Sequence, residues 1–397
     1  MSINRPGNQL GGKASIVGIG ATEFSKESGR SEMSLASEAV AAAIADAGLK
    51  PSDIDGMVTY STDNNPDVEI ARHVGIGSLR HFSRVHYGGG AACGTIVMAA
   101  MAVATGVADA VVCYRAFNER SGRRFGAGVQ DLPNAATAER AQFSWTTPAG
   151  QLTPASWVAM VARRYMHLYG ATSADFGRVA VAGRRHAANN PAAWFYNDPI
   201  TLEDHQASRW IVDPLHLLDC CQESDGGQAL VVTSAERARD LPNTPALIVA
   251  GAQGAGVDQW TMTSFFREDI AQLPEMKVVA DELWTSSGLT PSDIQTAILY
   301  DHFTPYVLMQ LEEFGFCGRG EAKDFIKDGA LEIGGRLPIN THGGQLGEAY
   351  IHEMNGIAEA VRQVRGTSVN QVDKVENVLV TAGTGVPTSG LILGVDR

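Results

Sequence analysis

The eight residues GLKPSDID at positions 48–55 recur as GLTPSDIQ at positions 288–295. Each copy follows an amphipathic run typical of a helix and precedes an apolar run typical of a buried strand. Both halves also contain a glycine-rich turn that opens a helical run, at residues 88–106 and 343–366. A single match is a common way to end a helix, but two matches in the same order predict a chain built from duplicated halves.

Strand-like and helix-like runs alternate around these repeats. Residues 14–20 (ASIVGIG) are typical of a buried strand, residues 34–48 of an alanine-rich helix, and residues 57–62 (MVTYST) of the next strand. This alternation predicts an α/β layered fold with a mostly apolar sheet.

The duplication predicts an N-terminal half of residues 1–255 and a C-terminal half of residues 256–397. Residues 116–210 differ in character, because Arg, Trp, Pro and Asn are frequent there. Their periodicity is weak apart from a helical run around residues 155–169. We therefore expect an inserted cap or loop region over the first half.

Composition restricts the classes of partner and location. The net charge of −13 disfavours nucleic acid or an anionic membrane surface as the main partner. The five cysteines show neither CxxC spacing nor a zinc-ligand pattern, so we expect reduced thiols and no metal site. An apolar leader and a membrane-length apolar window are both missing from the sequence, which predicts a cytoplasmic protein.

Four further stretches carry a resemblance to a known family. They are RRHAANNPAAWF (184–195), PLHLLDCCQESDGGQALVV (214–232), SDIQTAILYDHFTPYV (292–307) and NTHGGQLGEAYIHEMNG (340–356). With the duplicated halves, they resemble the thiolase superfamily, in particular its lipid-transfer-protein (sterol carrier) branch. The resemblance implies a thiolase fold, in which duplicated βαβα halves form a five-layered αβαβα arrangement with an inserted loop domain.

The two cysteine positions of the thiolases hold other residues in this chain. This branch places its nucleophilic cysteine sixteen residues before the glycine that ends the first helix, and counting back from Gly106 gives Gly90. Cys93 lies about one helical turn further on, and is either a displaced nucleophile or a small buried residue. The second thiolase cysteine belongs to a Cys-x-Gly-Gly-Gly turn, which corresponds here to TAGTG at residues 381–385. Without a thiolate, an acyl-enzyme has no nucleophile.

Tyrosines occupy both histidine positions of the thiolases. Tyr300 begins the motif YDHF at residues 300–303, in place of the histidine of a His-Asp-Cys-Phe motif. Tyr350 falls six residues after Gly344, in place of the histidine of a Gly-His-Pro motif. The steroid side-chain-degrading aldolases of sterol-degrading actinobacteria share this pattern, since they resemble lipid-transfer thiolases but use tyrosines.

This likeness implies retro-aldol cleavage of a β-hydroxyacyl-CoA. The implied substrate is a 17-hydroxy steroid with a three-carbon acyl-CoA side chain, and the products are a 17-keto steroid of the androstenedione type and propionyl-CoA. The reaction needs a base for the hydroxyl proton, a donor for the enolate carbon and an oxyanion hole. We expect Tyr300 to take the proton and Tyr350 to donate one, or the reverse. No separate cofactor is expected, because CoA is part of the substrate and the glycines lack dinucleotide-site spacing.

A tyrosine base requires stabilisation. A phenol pKa near ~10 lies about 3 units above neutral pH, which corresponds to roughly 4 kcal/mol. His302, His342 and the helix start after Gly344 are expected to stabilise a phenolate. The alternative for each histidine is a purely structural role, and for the tyrosines a pair of buried aromatic rings.

The glycine-rich turns and one basic cluster are candidates for holding the acyl-CoA. Backbone N–H groups of these turns are expected to face the thioester oxygen. The glycines concerned are Gly89, Gly90, Gly343, Gly344 and Gly383. By the resemblance, Arg120, Arg123 and Arg124 at the start of the insertion would hold the CoA phosphates, and the alternative is a solvated loop. Arginines 184 and 185 are expected on an exposed helix face.

The resemblance also implies partners. Thiolases form homodimers through their central sheets, and aldolases of this group work with a small acyl-CoA-binding partner that has an OB fold and a zinc ribbon, which gives an α2β2 complex. Two rival interpretations remain open from the sequence. One is an inactive thiolase-like protein that binds acyl-CoA or lipid, and the other is a thiolase or acyltransferase that uses Cys93.

Overall fold

A computed structural model describes residues 10–124, 126–128, 141 and 143–396. The strands are β1 (Ala14–Ala21), β2 (Gly56–Tyr60), β3 (His81–Val85), β4 (Ala110–Asn118), β5 (Trp210–Val212), β6 (Leu215–His216), β7 (Asp225–Ser234), β8 (Ala246–Gly254), β9 (Thr296–Ile298), β10 (Asn377–Ala382) and β11 (Thr388–Val395). The helices are α1 (Glu32–Asp46), α2 (Asp67–Val74), α3 (Ala92–Ala104), α4 (Pro154–Tyr169), α5 (Ser173–Asn189), α6 (Leu202–Ala207), α7 (Ala235–Ala238), α8 (Pro274–Ser287), α9 (Thr304–Glu313), α10 (Ala322–Phe325), α11 (Gly344–Gly347) and α12 (Met354–Arg365).

The sheet repeats one strand pattern in the two halves. Its order within the described residues is β3-β2-β4-β7-β1-β8-β11-β10-β9. The run β2-β4-β7-β1 has the same sequence of parallel and antiparallel pairings as β9-β10-β11-β8. The sequence repeats form matching turns before β2 and β9, where the amides of Lys50 and Thr290 each donate to an aspartate carboxylate three residues later, at 2.8 Å.

The two halves enclose a pair of central helices. Helices α3 and α12 contact each other and strands of both halves, whereas α1 packs on β1, β4 and β7, and α8 packs on β8 and β11. The two matching four-stranded runs join through β1 and β8, which pair over Ser15 with Leu247 and Ile16 with Ala246. This arrangement is the expected α/β thiolase fold, with α1 and α8 as outer layers and α3 and α12 between the strands of the two halves.

The second glycine-rich run is not one helix. The expected helical segment at residues 343–366 is split into α11 and α12, which are joined by residues 348–353. His352 and Glu353 adopt positive φ values of 50° and 71°, a conformation that a regular helix does not contain. Tyr350 therefore lies on a connecting segment and not on a helix.

The insertion is more regular than expected. Besides the expected helix, it contains α5 and α6, and its first residues continue β4 as far as Asn118. The sequence did not predict α5, because its apolar periodicity is weak. Its buried face includes Arg184 and His186 beside alanines and glycines. Helix α5 contacts α11, and thereby places part of the insertion beside the Tyr350 segment. Among the described residues, no helix is long and apolar enough to span a membrane.

Candidate active site

Tyr300 and Tyr350 meet inside the protein, with their hydroxyl oxygens 3.2 Å apart. Tyr300 lies just after β9, where its amide donates to Thr381 Oγ1 of β10 at 3.0 Å. The amide of Tyr350 donates to Ser224 Oγ at 3.1 Å, immediately before β7. Both side chains are buried, with 2% and 8% of their surface exposed. Residues 50 positions apart are thus held within hydrogen-bonding distance by strands of both halves.

The first glycine-rich turn leaves room for this pair. A Cβ on Gly89 would collide with the hydroxyl of Tyr300, and a Cβ on Gly90 would collide with the carbonyl oxygen of Pro387. Gly383 packs against the backbone of Gly90 and has a φ of 82°. The amide of Gly90 donates to the carbonyl of Tyr87 at 3.0 Å, so it is already engaged within the turn. The structure gives these glycines a steric role, and nothing in it tests their expected contact with acyl-CoA.

The two phenols differ in their surroundings. Burial raises the pKa of Tyr300 well above its usual value, and the neighbouring Tyr350 raises it further. Burial also raises the pKa of Tyr350, with contributions from Cys221 and Glu119, but the hydrogen bond from Tyr300 and the charge of Arg115 oppose that rise. Either hydroxyl group can be the donor in their hydrogen bond.

A buried ion pair, which the sequence did not indicate, lies behind Tyr350. Arg115 of β4 donates to Asp63 at 2.9 Å and, through Nε, to His352 Nδ1 at 3.2 Å. Because Arg115 is the donor, Nδ1 of His352 is the unprotonated ring nitrogen. The His352 ring packs edge-on against Tyr350, with centroids 4.9 Å apart, and Tyr60 donates to the His352 carbonyl at 2.9 Å.

His302 lies beside the pair as a neutral ring. Its centroid is 4.8 Å from that of Tyr300, it stacks on Tyr306, and its Nδ1 pairs with Thr384 Oγ1 at 3.3 Å. Burial lowers the pKa of His302 to about 3. A neutral ring can stabilise a phenolate only as a hydrogen-bond donor, and that role of His302 stays a prediction.

Other side chains of the protein bond to the second glycine-rich turn and pack against it. His342 Nε2 lies 3.9 Å from Glu348 Oε2, and His342 is not among the described residues that line the cavity beside Tyr350. The amide of Gln345 donates to Asp301 Oδ1 at 2.8 Å, and a Cβ on Gly344 would collide with the same carboxylate. The helix start after Gly344 therefore bonds Asp301 and not a phenolate, which corrects the expectation. Gly343 packs against Ala187 of α5 with a φ of 114°.

A cavity of about 460 Å³ opens beside Tyr350 and His302. Its apolar lining comes from the insertion and both halves, through Ala155, Ala180, Phe195, Ile200, Ile211, Leu217, Leu218, Phe303 and Leu346. Its basic residues are Lys26, Arg120, Arg124, Arg184 and Arg209. An apolar wall with several cations suits a ligand that has both an apolar body and anionic groups.

The three arginines of the basic cluster differ in their positions relative to the cavity. Arg120 and Arg124 line the cavity, and Arg124 donates to Glu223 at 2.8 Å, whereas Arg123 is exposed and does not line it. Arg184, which was expected on an exposed face, is instead buried, stacks over Phe195 and lines the cavity. The sequence did not predict this placement, because it depends on how the insertion folds to bring Phe195 and Asp198 against α5.

The thiols are poor nucleophile candidates. Cys93 is fully buried on α3, with its sulfur 3.8 Å from the carbonyl oxygen of Val380, and it does not line the cavity. Burial raises the pKa of every one of the five cysteine thiols above its usual value. The thiolate that a thiolase reaction requires is therefore disfavoured at each of them.

Comparison with known proteins identifies the family of the chain. Residues 255–394 match the family described as thiolase C-terminal domain-like. The steroid side-chain-cleaving aldolase of Thermomonospora curvata is 71% identical over 388 residues, which cover 98% of this chain and 99% of the relative. The 17-hydroxy-3-oxo-4-pregnene-20-carboxyl-CoA lyase of Mycobacterium tuberculosis is 67% identical over 385 residues, which cover 97% and 100%.

Solved structures agree as well. An Ltp2-ChsH2(DUF35) aldolase superposes with a TM-score of 0.94 at 70% identity, covering 98% of this chain and 99% of that one. Human mitochondrial 3-ketoacyl-CoA thiolase in complex with CoA shares the fold, with a TM-score of 0.70 at 14% identity over 98% of this chain and 99% of that one. Fold and site thus define a thiolase-fold protein with a buried pair of tyrosine hydroxyl groups beside a cavity. Within the thiolase superfamily, the chain belongs to the steroid side-chain-cleaving aldolases.

Proposed function

We propose that this protein cleaves a 17-hydroxy steroid with a three-carbon acyl-CoA side chain, by a retro-aldol reaction, into a 17-keto steroid and propionyl-CoA. The observation that carries the proposal is the pair of phenol hydroxyls, 3.2 Å apart, beside a largely apolar cavity. The names of the two relatives above, a steroid side-chain-cleaving aldolase and a 17-hydroxy-3-oxo-4-pregnene-20-carboxyl-CoA lyase, support the substrate class. No cofactor enters this reaction, because CoA is part of the substrate.

In the proton route that we propose, Tyr350 takes the substrate proton and Tyr300 donates one, which is the second of the two assignments expected from the sequence. Tyr350 lines the cavity and takes the proton of the 17-hydroxyl group as it passes its own proton to Tyr300 through their hydrogen bond. The bond between Cα and Cβ breaks in the same step, which leaves a ketone and places enolate charge on the acyl-CoA. Tyr300 passes its own proton to Cα as that charge develops, so each phenol loses one proton and gains one, and both are neutral before and after each turnover.

This route also avoids a free phenolate at rest. Burial raises the pKa of both tyrosines, which makes a standing phenolate unfavourable. When a proton moves through the hydrogen-bonded pair as the substrate proton arrives, no standing phenolate is required. The charge of Arg115, held by Asp63 and His352, favours negative charge on Tyr350 during the transfer.

The rest of the assembly is also a proposal. Arg120 and Arg124, at the cavity wall, would hold the CoA phosphates, and the exposed Arg123 is then the weakest candidate of the three. Strand β3 lies at one edge of the sheet with Phe82 65% exposed, and this edge suits the pairing of two copies into a homodimer. The DUF35 component in the name of the similar solved structure supports a small OB-fold and zinc-ribbon partner in an α2β2 complex.

The proposed reaction is tested by its products. The chain, alone and with candidate DUF35 partners, is incubated with the 17-hydroxy acyl-CoA thioester, and the steroid and CoA products are measured by mass spectrometry. We expect equal amounts of 17-keto steroid and propionyl-CoA, no cleavage of the 17-deoxy analogue, and retained cleavage by the Cys93→Ala variant. Tight binding without products would favour the inactive binding protein, and loss of cleavage in Cys93→Ala would favour the thiolase alternative.

A further inference from the structure

The wall of the cavity contains two buried polar groups that the tyrosine chemistry does not use. Glu119 and Gln222 both line the cavity and are 2% and 8% exposed. Within the described residues, Glu119 Oε2 and Gln222 Nε2 are buried without a hydrogen-bond partner. An unpaired buried polar group costs about 1–3 kcal/mol, so two of them beside a binding cavity indicate that a ligand completes them.

Lys26 fixes the orientation of the Gln222 amide. Its Nζ donates to Gln222 Oε1 at 2.8 Å and to the Glu223 carbonyl at 2.7 Å. An ammonium group only donates hydrogen bonds, so the oxygen of the Gln222 amide must face Lys26. The two N–H bonds of Nε2 are therefore the unused part of this side chain.

Ser224 holds Glu119 close to Tyr350. The backbone N–H of Ser224 donates to the Glu119 carboxyl group, and the Ser224 hydroxyl accepts from the Tyr350 amide at 3.1 Å. Burial raises the pKa of Glu119 well above its usual value, Glu223 adds to the rise, and Ser224, Arg115 and Lys26 oppose it. A carboxyl group that retains its proton in this position is a hydrogen-bond donor.

We infer that Gln222 Nε2 and the Glu119 carboxyl group form a subsite for the thioester oxygen of the acyl-CoA, and stabilise it as it takes on enolate charge. The inference rests on the proposed retro-aldol function, because that reaction places negative charge on this oxygen. The expected backbone donor at Gly90 is bonded to Tyr87 instead, so the thioester oxygen needs donors from another part of the cavity wall. A neutral glutamic acid also suits the subsite better than a carboxylate, which would repel the enolate.

Three variants test the subsite in the form of the enzyme in which the wild type is active. Gln222→Met and Glu119→Leu remove one donor each at similar volume, and we expect each to lower kcat by about 10²-fold with KM nearly unchanged. Glu119→Gln keeps a neutral donor that can still accept from Ser224, so it should recover most of the activity. As a matched control, Gln259→Met also removes an unpaired buried Nε2, but outside the cavity, and should retain wild-type kinetics.

A second measurement follows the formation of the enolate separately from the overall reaction. Solvent deuterium exchange at Cα of propionyl-CoA is measured for the wild type and the variants, with thermal unfolding to compare their folded states. We expect exchange to fall in parallel with kcat in Gln222→Met and Glu119→Leu. Wild-type kcat and exchange in both variants, or a change in KM alone, would overturn the subsite while leaving the proposed function intact. A wild type that does not cleave the substrate would overturn both.

Discussion

At the residue scale, Gly89 shows how the site depends on a missing side chain. Any Cβ at this position would collide with the Tyr300 hydroxyl. The hydroxyl in turn reaches Tyr350 at 3.2 Å, so the turn and the phenol pair are sterically coupled. Gly90, the next residue of the turn, is likewise packed against backbone of the second half.

The variant Gly89→Ala should therefore displace Tyr300 and break the pair. A displacement of about 1 Å in a catalytic group can cost on the order of 10²-fold in rate, and we expect a loss of that size in kcat. Steady-state kinetics of the variant, with circular dichroism as a measure of folding, check this. Gly77→Ala is the control, because its Cβ would meet nothing within 4 Å. Unchanged kcat in Gly89→Ala would show that the position of the Tyr300 hydroxyl is unimportant.

At the element scale, the start of α8 contains a buried acid that joins it to the turn after β10. Glu275 accepts from the Gly385 amide at 2.8 Å, and burial raises the pKa of Glu275 to about 7. The folded protein thus binds this proton more tightly than the unfolded chain, whose carboxyl titrates near 4.5. The contribution of Glu275 to the free energy of unfolding must therefore fall as pH rises from about 4.5 through about 7.

Replacing this carboxyl group with an amide, in Glu275→Gln, should remove that part of the pH dependence. We expect the difference in unfolding free energy between variant and wild type to shift in favour of the variant by more than 1 kcal/mol between pH 5 and pH 7.5, because each pKa unit corresponds to about 1.4 kcal/mol. Denaturant unfolding at the two pH values measures this shift. Parallel pH profiles of variant and wild type would contradict the raised pKa of Glu275.

At the scale of the whole molecule, the exposed edge at β3 governs the proposed assembly. Phe82 on this strand is 65% exposed. Large apolar side chains at an open sheet edge are a liability for a monomer, and pairing with a second copy would cover them.

The variant Phe82→Glu should convert the proposed homodimer into a monomer, because two buried carboxylates would face each other across the edge. Light scattering coupled to size-exclusion chromatography would then give half the wild-type mass. Val257→Glu is a matched control, since Val257 is exposed on a loop outside the sheet. A Phe82→Glu variant with the wild-type mass would exclude β3 as the interface.

The duplicated fold and the tyrosine pair could be predicted because short motifs in the sequence indicate both. The repeat at residues 48–55 and 288–295 precedes equivalent strands, and counting from Gly344 is enough to find Tyr350. The ion pair of Arg115 with Asp63 could not be found in this way, since its partners are 52 residues apart and His352 is 237 residues away. The burial of a charged side chain depends on the tertiary structure, and no periodic pattern in the sequence indicates it.

The protonation state of His302 could not be predicted for a related reason. Motif position placed His302 near Tyr300, but its protonation state depends on burial, which lowers its pKa to about 3. The helix expected from Gly343 breaks because His352 and Glu353 take left-handed conformations that are stabilised by distant contacts. Local propensity does not encode such contacts.

The most direct test of the account is the turnover of Tyr300→Phe and Tyr350→Phe on the 17-hydroxy acyl-CoA substrate. Each variant removes one oxygen and keeps the buried ring, so the fold should remain intact while kcat falls by about 10²- to 10⁴-fold. Tyr306→Phe, at a buried tyrosine that is not a member of the hydrogen-bonded pair, should remain active. Near wild-type turnover in either of the first two variants would contradict the claim that the phenol pair moves the protons.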